Sequence, residues 1–194
     1  MSGFIVIEGL DGVGKSTLVS KLAEMFSGHA MSTPGPALRD IRNSVLEVFA
    51  QDELAKALFY TASVSSEGKQ ARCLTNQGKW VLMDRYWAST VAYAKARGVT
   101  ANLDALSESL TQPDLTVLLL LDEPERQKRL RLRGSTSEDE ETLNPSFREC
   151  VLNELNDRAN LAINISGLAV PDAAANVFSA IKDHLLKIDF AVRT

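Results

Sequence analysis

The stretch Gly9-Leu10-Asp11-Gly12-Val13-Gly14-Lys15-Ser16 fits the pattern G-x-x-x-x-G-K-[ST], and its position decides the fold. The short apolar run from Phe4 to Ile7 comes just before it. Leu18, Leu22 and Phe26 follow it, four residues apart, on one face of a predicted helix. A strand, a glycine-rich loop and a helix therefore succeed one another directly, which is the context that a phosphate-binding loop, or P-loop, requires.

The loop residues suit a chain of phosphates. Glycines let backbone N–H groups turn inward around the phosphates, and the helix N-terminus adds positive potential. We expect Lys15 to reach the β- and γ-phosphates of ATP and Ser16 to bind Mg²⁺. The residues assigned to ATP are Gly9, Asp11, Gly12, Val13, Gly14, Lys15, Ser16 and Thr17. A P-loop alone does not separate a kinase from a GTPase or a motor ATPase, so the acceptor side must decide.

Short apolar runs alternate with longer periodic stretches along the rest of the chain. This rhythm predicts an α/β protein with a five-stranded parallel sheet covered by helices on both faces. The length of 194 residues predicts a single domain spanning residues 1–194. The later strands are expected at 29–32, 80–83, 115–121 and 162–165. The later helices are expected after Pro36, with Ile41, Val45, Leu46 and Phe49, then at 53–76, 88–97, 125–133 and 147–161, and from a cap at Asp172.

Charge and hydropathy exclude several classes of partner. With 21 Lys and Arg against 25 Asp and Glu, the net charge is −4, which gives no basic field for nucleic acid or an anionic membrane. The longest apolar run, Val117 to Leu121, is too short to span a bilayer, and the N-terminus lacks a charged leader region. We therefore expect a cytoplasmic protein, or the mature form of a processed one, that holds any polyanionic ligand locally.

Asp84-Arg85 stands at the end of the predicted strand from Trp80 to Met83. In an open parallel sheet that edge faces the ligand crevice beside the P-loop. Asp84 could organise Mg²⁺ there, and Arg85 could hold a second phosphate group. The simpler interpretation is a solvated ion pair at a strand end, with Tyr86 packed in the core.

A cluster of five cations lies within residues 126–133 and runs into the polar segment from Gly134 to Pro145. Because phosphoryl transfer spreads negative charge over oxygens, a closable segment that carries arginine could stabilise the transition state. We predict a small lid at about residues 131–146, with Arg131 and Arg133 as the catalytic arginines beside Lys15 and Arg85. The alternative for the other cations is an exposed basic helix face.

Four motifs together resemble the thymidylate kinase family over essentially the whole chain. They are the P-loop preceded by Ile5-Val6-Ile7-Glu8, the run Asp84-Arg85-Tyr86-Trp87-Ala88-Ser89-Thr90 followed by Ala92-Tyr93, the stretch Gln112-Pro113-Asp114-Leu115, and the arginine-rich segment that ends at Gly134. The resemblance implies a P-loop kinase fold with strand order 2-3-1-4-5. It also implies ATP with Mg²⁺ as donor, a pyrimidine nucleoside monophosphate as acceptor, and a homodimer.

The resemblance also implies residue roles on the acceptor side. Asp11 would contact the acceptor sugar hydroxyl, Arg85 the acceptor phosphate, and Phe59 the base by stacking, although helix core packing is an equal alternative for Phe59. Some members place an arginine inside the P-loop where this chain has Gly12. That difference implies that the catalytic arginine comes from the lid, in favour of Arg131 and Arg133.

Two positions depart from the family pattern. The family usually has Arg-Glu-Pro-Gly after the second strand and an arginine four residues beyond the stacking aromatic; here Ser32-Thr33-Pro34-Gly35 and Ser63 stand there. The runs Phe59-Tyr60 and Phe147-Arg148 look closer to the mitochondrial UMP-CMP kinase group. Arg39 or Arg42 could supply a replacement cation. The acceptor-side candidates are therefore Asp11, Arg42, Phe59, Ser63, Arg85 and Tyr93, with Ser16 and Asp84 as metal ligands.

Three functions remain open from the sequence. A nucleoside monophosphate kinase needs no protein base, because its nucleophile is already an anionic phosphate. A deoxynucleoside kinase would need a carboxylate base beyond the second strand, and Ser32 to Pro36 offers none. A regulatory protein that only binds nucleotide is favoured by the missing acceptor arginines, but it would have no use for Asp84-Arg85 and the arginine-rich helix.

Overall fold

Five short strands form one parallel sheet in the computed structural model, which describes residues 2–134 and 137–193. The order is β2-β3-β1-β4-β5, so the order implied by the resemblance is confirmed. Every neighbouring pair is parallel. The strands are β1 (Gly3–Glu8), β2 (His29–Ser32), β3 (Trp80–Asp84), β4 (Leu115–Leu120) and β5 (Leu161–Asn164).

Helices connect the strands and cover both faces of the sheet. They are α1 (Lys15–Phe26), α2 (Pro36–Phe49), α3 (Glu53–Asn76), α4 (Trp87–Ala96), α5 (Glu123–Arg133), α6 (Ser137–Glu141), α7 (Pro145–Arg158) and α8 (Val170–Arg193), with a 3₁₀ helix at Leu103–Ser109. Among the described residues, no helix is both long and apolar enough to cross a membrane.

The core lies in two layers, one on each side of the sheet. Alternate residues of β1 point to opposite faces, as the pleat of a strand requires. Ile5 and Ile7 pack in the cluster that contains residues of α1, α7 and α8, whereas Phe4 and Val6 pack in the cluster that contains residues of α3. Because both faces are covered, the strand is apolar along its length, which made it recognisable in the sequence.

Several predicted boundaries are wrong by one to three residues, and two of these differences have a clear physical reason. The helix predicted to reach Leu161 ends at Arg158, and Leu161 begins β5 opposite Val117. Asn160 exchanges two hydrogen bonds with the backbone of Thr116, at 2.8 and 2.9 Å, which ties this turn to β4. Asp172 lies in the first turn of α8 rather than at its cap, because the helix already begins at Val170 and a proline is tolerated in its first turn.

The carboxyl ends of β1 and β3 lie side by side. Ile7 pairs with Asp84, and the Arg85 N–H donates to the Ile7 carbonyl at 3.0 Å. The buried carboxylate of Glu8 accepts hydrogen bonds from the backbone N–H groups of Tyr86 at 2.9 Å and Ser89 at 3.1 Å. Glu8 therefore fastens the start of α4 to the end of β1, and the P-loop and Asp84-Arg85 meet at one edge of the sheet.

Candidate active site

The P-loop adopts a conformation that only glycine tolerates at two of its turns. Gly9 has φ 148°, and a Cβ there would lie 2.8 Å from the Leu119 carbonyl oxygen. Gly12 has φ 88°, and a Cβ there would lie 2.9 Å from the Leu130 side chain of α5. A residue with a Cβ at position 12 would therefore force the Leu130 side chain to shift and would strain the backbone, so an arginine does not fit the loop as it stands.

Lys15 lies beneath the loop with its side chain buried. Its Nζ donates to the Leu10 carbonyl oxygen at 2.9 Å and lies 3.8 Å from Asp11 Oδ1. Burial, together with the charge of Arg85, lowers the pKa of Lys15 to about 8. The ammonium group is thus poorly solvated, and the negative charge of a bound phosphate chain would stabilise it.

Asp11 and Arg85 form the central ion pair of the site. Arg85 Nη2 donates to Asp11 Oδ1 at 2.6 Å, and Arg85 itself has a left-handed backbone with φ 62°. Burial alone would raise the pKa of Asp11, but the charges of Arg85 and Lys15 hold that pKa well below its usual range. Asp11 is therefore ionised at any working pH and fixes the direction of the Arg85 side chain.

A large cleft of about 1250 Å³ opens above the P-loop. Of the residues assigned to ATP, all but Gly9 line it, and Gly9 packs below them against β4. Asp84, Arg85, Arg129 and Arg133 line it as well. At one end the lining is apolar and consists of Ile165, Leu168, Ala169, Val170 and Ala173. The cleft thus has positively charged side chains around the P-loop and an apolar end, which suit the phosphates and the base of a nucleotide.

Ser16 and Asp84 offer oxygen ligands beside the P-loop. Ser16 Oγ lies 2.5 Å from Asp84 Oδ2, and Asp84 Oδ1 is buried without a hydrogen-bond partner in the described part of the chain. The described residues contain no cluster of three or more His, Cys, Asp or Glu that could hold a metal alone. Mg²⁺ bound through one carboxylate, one hydroxyl and phosphate oxygens fits this donor set.

A small cavity of about 300 Å³ adjoins the large cleft. Asp11 and Arg85 line both spaces and therefore mark their junction. Tyr93 lines the small cavity, and its hydroxyl lies 3.3 Å from Asp11 Oδ2 and 3.4 Å from Arg85 Nη2. Burial raises the pKa of Tyr93 to about 12, so its phenol stays neutral. Two adjoining spaces that share a fixed arginine suit two ligands that react with each other.

The residues of α3 that line the small cavity are not the ones predicted from the sequence. Phe59 and Ser63 do not line the small cavity, whereas Tyr60 does. Ser63 is fully buried, and its Oγ has no hydrogen-bond partner in the described structure. Arg42 lines the cavity and donates from Nε to the Tyr60 hydroxyl at 2.8 Å. Glu53, Ala57 and Tyr60, spaced four and three residues apart, share the helix face that lines the cavity.

Arg39 lies where the two spaces meet on the α2 side. It lines both of them, and its guanidinium donates to the Ser32 hydroxyl. The family pattern places an arginine at position 32, at the end of β2. The Arg39 guanidinium therefore reaches this strand end from the following helix.

Helix α5 presents only some of its cations to the large cleft. Arg133 lines the cleft, and its Nη2 lies 2.8 Å from both carboxylate oxygens of Asp139. Arg131 is exposed, lines neither space and has no hydrogen bond or ion pair with the described residues. Arg129, which the sequence analysis did not select, lines the cleft and donates to the Val13 carbonyl at 3.0 Å. The structure thus places Arg131 away from the site.

Arg126 has a structural role at the site. Its side chain is fully buried, and Nη1 donates to the Asp11 carbonyl at 2.9 Å and to the Thr142 hydroxyl at 3.0 Å. Its Nε also donates to Glu123 at 2.7 Å. The spacing 126, 129 and 133 puts Arg126 on the same helix face as the two arginines that line the cleft, a signal that the sequence already contained.

Arg97, which follows α4, is a second residue that the sequence analysis missed. It lines the small cavity, and its guanidinium lies 5.6 Å from the centre of the Tyr93 ring. The spacing of four residues from Tyr93 places both side chains on one face, so helical periodicity could have found it.

Comparisons with known proteins find a matching family model, similar sequences and a similar fold. The family model for thymidylate kinase matches residues 7–172. A probable thymidylate kinase from Pyrococcus horikoshii is 32% identical over 149 residues, covering 70% of this chain and 73% of that protein. A thymidylate kinase from Bdellovibrio bacteriovorus is 35% identical over 153 residues, covering 71% and 72%. The solved structure of thymidylate kinase from Candida albicans superposes with a TM-score of 0.75 at 24% identity, covering 94% of this chain and 92% of that one.

Proposed function

The chain belongs to the thymidylate kinase family of ATP-dependent nucleoside monophosphate kinases, and we propose that its acceptor is a pyrimidine monophosphate, either dTMP or a nucleotide of the UMP and CMP type. The observation that carries the proposal is the junction of two spaces at Asp11 and Arg85. One space suits a nucleoside triphosphate, and the other has the size and polarity for a monophosphate.

ATP occupies the large cleft in this proposal. Its phosphates lie along the P-loop amides and Lys15, and its base lies at the apolar end near Leu168 and Ala173. Mg²⁺, held by Ser16 and Asp84 together with phosphate oxygens, would neutralise phosphate charge when bound. Supporting this role, Asp84 Oδ1 is buried and has no hydrogen-bond partner in the described structure.

The acceptor nucleotide occupies the small cavity. Its phosphate is bound by Arg85, which Asp11 orients, and by Arg39 at the junction. Asp11 and Tyr93 lie where the sugar hydroxyl would be recognised. Tyr60, held by Arg42, offers an aromatic ring to the base in place of Phe59.

Transfer then proceeds in line. An oxygen of the acceptor phosphate forms a bond to the γ-phosphorus of ATP, and the bond from that phosphorus to the β–γ bridging oxygen breaks, leaving ADP. The nucleophile is an anion, so no protein base is needed. Lys15 and the cleft-side arginines Arg129 and Arg133 stabilise the charge that develops on the transferred group.

The identity of the acceptor is tested by measuring ADP release over dTMP, dUMP, UMP, CMP, dCMP, AMP and GMP, with thymidine and deoxycytidine as neutral controls. We expect a pyrimidine monophosphate to give the highest kcat/KM. Arg85→Ala should abolish that activity while ATP still binds, because the charge-assisted contact to the acceptor phosphate is lost while the P-loop and Lys15 remain. A purine monophosphate as best substrate would overturn the acceptor assignment, and turnover of the nucleosides would indicate a deoxynucleoside kinase.

We also propose that residues 131–146 act as a lid on the single domain spanning residues 1–194. Arg133 supports this role because it lines the large cleft, and its ion pair with Asp139 holds α6 beside it. Residues 135 and 136 of the lid lie outside the described residues.

The homodimer implied by the resemblance is likewise proposed, through α2 and α3. These adjacent helices expose Ile41, Val48, Leu54 and Leu58, and Val48 is 81% exposed. We expect wild-type protein to sediment as a dimer and Val48→Asp to sediment as a folded monomer. A monomeric wild type would refute the dimer.

A further inference from the structure

Helix α6 holds two arginines that belong to different spaces. Asp139 pairs with Arg133 of the large cleft, and both carboxylate oxygens lie 2.8 Å from Nη2. Glu141, on the same helix, pairs with Arg97 of the small cavity at 2.5 Å from Nη2 and 3.1 Å from Nε. One short helix thus connects an arginine on the donor side to an arginine on the acceptor side.

The end of α6 is also fixed to the P-loop. Thr142, just beyond the helix, is fully buried, and its hydroxyl donates to the Asp139 carbonyl at 2.7 Å. Arg126 donates to both the hydroxyl and the carbonyl of Thr142, each at 3.0 Å, and to the Asp11 carbonyl. A displacement of α6 would therefore have to break contacts with the loop that lies under both nucleotides.

Arg97 is placed to respond to the acceptor. Its guanidinium lies over the Tyr93 ring, and Nε is 3.7 Å from Glu53 Oε2 of α3. Tyr93 in turn reaches Asp11. A nucleotide in the small cavity would lie against Arg97, whose guanidinium also holds Glu141.

We propose that Arg97 and Glu141 are a positioning pair: through α6 they set the place of Arg133 in the large cleft, so that occupancy of the small cavity and stabilisation of the transferring phosphoryl group are coupled. The inference rests on the proposed function for the chemistry, but the coupling is carried by contacts within this chain. Neither Arg97 nor Glu141 need touch the reacting atoms.

The kinetic test is Glu141→Gln, which removes the charge of a half-buried side chain and keeps its size. With the best acceptor from the panel, we expect kcat to fall roughly tenfold while KM for ATP changes less than about twofold. The reason is that the variant weakens an interaction that stabilises mainly the transition state. The matched control is Glu140→Gln, which neutralises the exposed neighbouring residue of the same helix and should leave kcat unchanged.

Two further variants separate positioning from a general structural effect. Because Glu141 acts through Arg133, Glu141→Gln combined with Arg133→Ala should be no slower than Arg133→Ala alone. Glu141→Asp should restore part of the lost kcat, since a carboxylate remains. Effects that multiply in the double variant, or an unchanged kcat in Glu141→Gln, would overturn the proposal.

A readout independent of turnover is amide hydrogen exchange at residues 139–142, measured with and without dTMP at saturating concentration. We expect dTMP to slow exchange in the wild type and not in Glu141→Gln. A wild type that phosphorylates dTMP but in which dTMP leaves this exchange unchanged refutes the coupling. A wild type that is inactive on every monophosphate refutes the proposed function instead.

Discussion

Ser16 and Asp84 are separated by 68 residues in sequence, yet the Ser16 hydroxyl lies 2.5 Å from Asp84 Oδ2. The contact exists because β1 and β3 are neighbours, so that the P-loop after β1 faces the residue at the end of β3. It leaves the other carboxylate oxygen of Asp84 buried and without a hydrogen-bond partner in the described structure. A carboxylate in that state is poised to accept a ligand.

Asp84→Asn should raise the Mg²⁺ concentration needed for half-maximal rate by about tenfold or more, because a neutral amide binds a hard cation weakly. The measurement is a titration of ADP release with Mg²⁺ at fixed ATP. Asp40→Asn, which neutralises an exposed carboxylate on α2, is the matched control and should leave the titration unchanged. Equal Mg²⁺ dependence in all three proteins would make Asp84 purely structural.

Binding of ATP should weaken above about pH 8. The pKa of Lys15 is lowered to about 8 by burial and by Arg85, so below that pH the free enzyme presents a charged lysine, and above it a neutral one. We expect kcat/KM for ATP to fall roughly tenfold per pH unit above that point, since this parameter reports groups of the free enzyme. A profile that stays flat to pH 9.5 would contradict the environment described for Lys15.

The fold could be predicted from the sequence because its signals are local. The P-loop glycines, the apolar strands and the helical repeats each lie within a few residues, and the predicted bounds of the helix at 53–76 are those observed. The site was harder to predict, because the residues that line it depend on the rotational phase of each helix. One residue corresponds to about 100° of rotation, which separates Tyr60 from Phe59. Two residues correspond to about 200°, which turns Arg131 away from the face of Arg129 and Arg133.

Long-range contacts account for the remaining differences. Nothing near Arg126 in the sequence shows that it binds the Asp11 carbonyl 115 residues away and is fully buried. The polar composition of the segment after Gly134 gives no sign of burial, yet Asp139 is 1% exposed because it packs under Arg133 and Thr142. Such partners become visible only when the sheet order is combined with side-chain positions.

Arg133→Ala should lower kcat by about 100-fold or more with a smaller effect on KM for ATP, by analogy with loss of a fixed donor to transition-state charge. Arg131→Ala on the same helix is the matched control. It removes the same charge from an exposed position outside both spaces and should have near wild-type kinetics. An equal loss in both variants would mean that the total charge of α5, rather than the place of Arg133, is responsible.

Tyr60→Ala should raise KM for the acceptor by about tenfold, since base stacking on an aromatic side chain contributes roughly 1–3 kcal/mol. Phe59→Ala removes the neighbouring ring, which does not line the small cavity, and should leave that KM within about twofold. Steady-state kinetics with varied acceptor at saturating ATP distinguishes the two. The reverse ranking would restore Phe59 as the base-binding residue implied by the family resemblance.

Ser63 offers a test of where the acceptor site ends. Its hydroxyl is fully buried without a hydrogen-bond partner in the described structure, so Ser63→Ala should keep or raise stability, by up to about 1 kcal/mol. Ser63→Arg, which restores the family residue, should lower the melting temperature, because it buries an unpaired charge in a packed interior. Both are measured by thermal unfolding, with acceptor KM determined on the folded protein. A Ser63→Arg variant that keeps the wild-type melting temperature and binds the acceptor more tightly would show that this position reaches the small cavity after all.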